Sequence, residues 1–137
     1  MAGPLIPNPC YRDARKAIDF LVAAFGFEVH ALHEDGHSDI AHVELTFGES
    51  MVMLATQGQG EYGQLVTAVE PAGKPTTGFY VVVDDVTGHH ERARAAGAQV
   101  VIEPRDRDYG GSDFTCRDHE GHLWTFGSYD PWATTGD

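Results

Sequence analysis

Two stretches of this chain read as copies of one pattern, and that repeat limits the fold more than any single motif does. Asp13 stands 13 positions before Gly26 and Asp84 stands 13 before Gly97, an offset of 71 between the copies. An aspartate can accept hydrogen bonds from the free N–H groups at the start of a helix, and a glycine can take the left-handed turn that ends one. Between the first pair, Ala17, Ile18, Leu21, Val22 and Phe25 recur at three- and four-residue spacing. That spacing predicts an amphipathic helix of about three turns. The second helix is expected over residues 86–96, behind the Asp84-Asp85 cap.

Extended runs flank both helices. Residues 5–11 lead into the first helix, where Pro7 and Pro9 argue for an edge strand or an irregular entry. Residues 78–83 lead into the second and are almost wholly apolar. After the first helix come strand-like runs at 27–33, 40–47 and 51–55, parted by the turn-rich Glu34-Asp35-Gly36-His37 and Gly48-Glu49-Ser50. After the second come 99–103, 112–117 and 122–126. Each copy is therefore βαβββ, and the fold class is α+β in one domain, 1–137. Module one is expected over about 5–56, a connector over 57–76, module two over about 77–128, and a tail over 129–137. Two such modules give curved mixed sheets with helices outside and a concave face between them, the natural place for a ligand.

Composition narrows the partners. A chain of 137 residues can bury a sizeable core without staples. Its 21 acidic and 9 basic side chains leave a formal charge of −12, which disfavours nucleic acid and anionic membrane surfaces and favours neutral or cationic ligands. Cys10 and Cys116 form no C-x-x-C pair and read as buried or half-buried thiols. The start MAGPLIPNP lacks a basic region followed by an apolar run, and no apolar stretch approaches the roughly 18 residues of a membrane span. A soluble, cytoplasmic protein is expected.

The segments YRDARKAIDFLVAAFGFEV, HVELTFGESMVML, VVVDDVTGHHERARAAGAQVV and RDHEGHLWTFGSYDP resemble the vicinal oxygen chelate superfamily, in its glyoxalase and bleomycin-resistance-like branch. The resemblance covers nearly the whole chain and implies paired βαβββ modules. One fold there serves isomerases, dioxygenases, transferases and non-catalytic drug binders, so function must be argued from the site. The metal enzymes of that family take His, Gln or Glu ligands from four strands. Carried onto this chain, the four positions hold Ile6, Met53, Gly78 (Thr77 by the 71-residue offset) and Thr125. None is a family ligand, so the expectation is no metal and no cofactor.

The stretch RDHEGHLWTF invites a different reading, because His119, Glu120 and His122 lie within four positions. The repeat makes Asp118 to Gly121 the turn before the last strand, matched in the first half by Gly48-Glu49-Ser50, with its charged side chains expected in water. His30, His33 and His37 sit among acidic neighbours and are expected on a solvated surface. Adjacent His89 and His90 point about 100° apart on the second helix and are expected on its surface.

Strand alternation supplies the candidate lining. With Ala41, Val43, Leu45 and Phe47 on the helix side, His42, Glu44 and Thr46 face the cleft. Met51, Met53, Tyr80 and Thr125 join them, and Tyr109, Phe114 and Trp132 either close over a ligand or pack a subunit interface. Met, Tyr and apolar walls suit a flat aromatic ligand. The expected function is a metal-free binding protein, similar to the bleomycin-resistance proteins. It would sequester an aromatic or cationic antibiotic, such as an aromatic peptide antibiotic, in resistance or self-protection. In that group two chains pair, so a homodimer is implied. The alternative is a glyoxalase-like isomerase or lyase, with His42 and Glu44 as an acid/base pair.

Overall fold

The computed structural model describes residues 3–34, 36 and 40–133. Asp35 and His37 of the first expected turn lie outside them. The helix α1 spans Ala14–Phe25. Asp13 starts it, its Oδ1 accepting from the Lys16 N–H at 3.0 Å, and Gly26 stops it at φ 85°. The strands β1 (Cys10–Tyr11), β2 (Glu28–Glu34), β3 (Ile40–Phe47), β4 (Ser50–Met53) and β5 (Ala55–Thr56) complete the first half. The short helix α2 (Gly60–Gly63) interrupts the connector. The second half is β6 (Gly78–Val82), α3 (Val86–Ala95), β7 (Gln99–Asp106), β8 (Ser112–Arg117) and β9 (Leu123–Gly127). Asp85 caps α3 by accepting from the Gly88 N–H at 2.9 Å.

The strands sort by half. β2, β3 and β4 form an antiparallel sheet, β1 runs parallel to β5, and the second half forms one sheet in the order β6-β9-β8-β7. β1 is shorter than the expected 5–11 because Pro7 and Pro9 have no N–H to give a ladder. Their carbonyls still accept, from the Met53 and Ala55 N–H groups at 3.0 Å each. Alternation then divides each sheet. Val43, Leu45 and Val52 are buried on one face of the first, while His42, Glu44, Met51 and Met53 occupy the other, half-buried.

The core belongs to both halves at once. Phe25 of α1 packs on Trp124 and Phe126 of β9, with ring centroids 5.2 and 4.9 Å apart, and α1 lies against α3. Phe114 is directly opposite Phe126 on β8. Residues opposite one another share a face, so its ring is 0% exposed in the core, not in the cleft as expected. His89 and His90 also depart from expectation, because α3 turns them inward. His89 stacks on Phe126 at 5.7 Å, and His90 meets Phe114 edge-on at 5.2 Å.

The turn before β9 is the largest correction. Asp118 is 5% exposed and accepts from Tyr11 Oη at 2.6 Å, from Trp124 Nε1 at 3.1 Å, and from the Glu120 and His122 N–H groups at 3.0 Å each. Glu120 accepts from the N–H groups of Arg12 and Asp13 at 2.8 and 3.0 Å. His122 is 8% exposed, its Nε2 lying 2.7 Å from the Cys10 carbonyl oxygen. The charges stand out of water because the other half of the chain supplies their partners, which local sequence does not display.

Candidate functional site: an aromatic cavity between the halves

β6 is the outermost strand of its sheet. Beyond its free edge lies a cavity of about 590 Å³, walled from the other side by the ends of β3 and β4 and by the segment leading into β1. Because the cavity opens at an edge, it meets residues from both faces of β6: Phe79 and Val81 from the core side, Tyr80 and Val82 from the open side. Behind them an aromatic floor is already packed. Phe79 stacks on Trp124 at 4.4 Å, and Phe27 meets Trp124 and Phe47, each at 5.6 Å.

The open side is built around Tyr80. Its hydroxyl donates to the Tyr129 carbonyl at 2.7 Å, which pins the tail to the sheet. Burial, then the nearby Asp113 carboxylate, pushes its pKa up, so the phenol stays protonated at neutral pH. A Cβ on Gly127 would lie 2.4 Å from the Tyr80 oxygen, so only glycine leaves the ring its place. Trp132 follows in the tail, 85% exposed over the cavity, its N–H bonded to Asp130 Oδ1 at 3.0 Å. Glu49 and Asp130 bring two carboxylates to the same lining.

Of the residues expected at a ligand site, the cavity brings together Met51, Tyr80 and Trp132. Tyr109 joins indirectly, its ring edge-on to Tyr129 at 5.0 Å. The others lie elsewhere. His42 Nε2 is 2.7 Å from Glu44 Oε2 on the open face of the first sheet, and Met53 is paired opposite Glu44. Thr125 shares a hydrogen bond with Thr115, Oγ1 to Oγ1 at 2.7 Å, on the open face of the second. Phe27, Phe47, Phe79, Trp124, Glu49 and Asp130 were not anticipated. Strand alternation assigns the aromatics to the core, and no local signal says that β6 has a free edge.

The Glu44 carboxyl is held below the usual range, chiefly by the hydrogen bond from His42. His30 Nε2 lies 3.8 Å from the same carboxylate, and His33 stacks on His42 at 6.1 Å. The four family ligand positions do not suit a hard divalent ion. Ile6 and Gly78 offer no donor, Met53 a thioether, and Thr125 a hydroxyl already bonded to Thr115. Among the described residues, no group of three or more His, Cys, Asp or Glu side chains is placed to hold a metal. No helix among them is long and apolar enough to cross a membrane.

None of the curated proteins matches the chain. Solved structures share its fold. TioX from Micromonospora sp. ML1 is 32% identical, with a TM-score of 0.73 over 91% of this chain and 97% of that one. A glyoxalase/bleomycin resistance protein/dioxygenase family enzyme from Burkholderia phytofirmans PsJN is 24% identical, with a TM-score of 0.68 over 88% and 93%. A mutant of the fosfomycin resistance protein FosX from Listeria monocytogenes, complexed with Mn(II) and 1S,2S-dihydroxypropylphosphonic acid, is similar in fold alone, at 14% identity and a TM-score of 0.70 over 96% and 93%. The family model matches residues 10–126, which span the βαβββ units of both halves, and the chain belongs to the Glyoxalase/Bleomycin resistance protein/Dioxygenase superfamily.

Proposed function

We propose that this protein is a metal-free cytoplasmic binding protein that sequesters an aromatic, cationic antibiotic-like molecule, as in drug resistance or self-protection. The aromatic cavity carries the reading. About 590 Å³ is room for a drug-sized ligand or one arm of a larger one such as an aromatic peptide antibiotic. Phe79, Tyr80 and Trp132 offer ring faces, and Met51 adapts to an irregular aromatic outline. Glu49 and Asp130 favour a positive group, as does the net charge of −12. A homodimer fits the open sheet faces, where Tyr80 and Val82 are 41% and 40% exposed. A second copy would cover them.

One observation favours a second reading, an isomerase or lyase. His42 and Glu44 form a hydrogen-bonded pair open to solvent, as a general base needs. Fluorescence titration of Trp124 and Trp132 with aromatic antibiotics, then mass analysis of the recovered compound, separates the two. Sequestration predicts saturable quenching at micromolar concentration or below, weakened by Trp132→Ala, with the compound unchanged. A changed mass that His42→Ala abolishes supports catalysis. No saturable binding across cationic and neutral aromatic probes sinks the binding reading.

A further inference from the structure

A second cavity, about 610 Å³, shares no residue with the aromatic one. Its walls are the connector residues 69–73, the 117–121 turn, Arg12 and Gln99. Its acids are largely committed. Asp118 is saturated by four donors, and Glu120 by two backbone N–H groups and the Arg12 guanidinium. Glu70 alone stays exposed to solvent.

Of the basic groups, Arg12 is committed to Glu120 and the Val69 carbonyl, whereas Arg117 and His119 are not paired in this way. Arg117 is half-buried, and the one hydrogen bond its guanidinium makes among the described residues runs from Nη1 to the Gly121 carbonyl at 3.3 Å. No carboxylate pairs with it there, although the chain has 21 acidic side chains. His119 is held between Tyr11 and Phe20, with centroids 5.8 and 5.0 Å away, and both of its ring nitrogens are buried without a hydrogen-bond partner. The Glu120 carboxylate, 3.8 Å from Nε2, is beyond hydrogen-bond reach. Gln99 adds an amide. A half-buried guanidinium and an orphaned imidazole beside one cavity leave donors unsatisfied, and such groups are costly to bury alone.

We infer that this cavity is an anion site, which takes a small molecule bearing a carboxylate or phosphate, with Arg117 as its charged anchor and the exposed Gln99 amide as a second donor. A planar guanidinium presents two parallel N–H groups to two oxygens of either anion. The site is separate from the antibiotic reading and stands whether or not that reading holds.

Inorganic phosphate and succinate are the probes, each titrated into ¹⁵N-labelled wild-type protein at constant ionic strength against chloride. The expected result is saturable amide shifts confined to residues 69–73 and 117–121, at millimolar concentration or below. Saturation by phosphate alone assigns the phosphoryl class, and by succinate alone the carboxylate class. Arg117→Gln should weaken binding by at least about tenfold, while Arg117→Lys retains part of it and Arg105→Gln, outside the cavity, leaves it unchanged. Scattered or unsaturable shifts with both probes overturn the site. So does binding that Arg117→Gln leaves intact in protein whose spectrum remains folded.

Discussion

Asp118 shows how far one residue's role can depend on distant partners. Local sequence reads it as a turn aspartate, yet it is 5% exposed and meets Tyr11, 107 positions away. Asp118→Ala strands a phenol, an indole N–H and two backbone N–H groups, so a loss of about 3 kcal/mol or more is expected in urea unfolding. Cys116 behaves differently, because its partner is the apolar core. Burial, then the Asp118 charge, pushes its thiol up to about 12 from 9.0. The unfolded chain thus gives up this proton first, and the stability the protonated thiol contributes is full below pH 9 and lost as pH rises toward about 12. Stability measured against urea should fall over that window, and Cys116→Ala should narrow the gap to wild type as pH climbs. A constant gap would show that the thiol does not titrate there.

The helices and strands were the most legible elements. Of the periodic apolar positions of α1, Ala17, Ile18, Leu21 and Phe25 are buried and Val22 is half-buried, because a period near 3.6 leaves one face to bury. The C-terminus of α1 was only half legible. Gly26 ends it as expected, but Arg92 of α3 donates to the Ala23 and Val22 carbonyls at 2.9 and 3.1 Å, placing a positive charge at the negative end of the helix. Arg92→Ala should lower stability by about 1 kcal/mol, since the arginine is exposed. Gly26→Ala should cost more. It forces a positive φ on alanine and sets its Cβ 3.0 Å from the Arg92 guanidinium. Thermal unfolding of both variants checks the order.

Across the whole molecule, the halves are joined by a shared aromatic core and by the contacts of Tyr11, Cys10 and Arg12 with the 118–122 turn. They should therefore unfold together, with coincident urea transitions in tryptophan fluorescence and far-ultraviolet circular dichroism; separated midpoints would show independent modules. By itself the sequence determined the two βαβββ copies, their helix caps, and the buried and open faces of β3, β4, β6 and β9. Those features are local, set by periodicity, turn residues and side-chain type. Only the tertiary structure decided that β6 ends its sheet and opens an aromatic cavity onto Met51, Tyr80 and Trp132, while His42 and Glu44 stand apart from it. It likewise decided that Asp118 is buried, that Glu120 is held by the Arg12 and Asp13 N–H groups, and that Arg117 has no carboxylate partner among the described residues. Such properties depend on which distant groups meet, and a single strand's pattern carries no record of its neighbour.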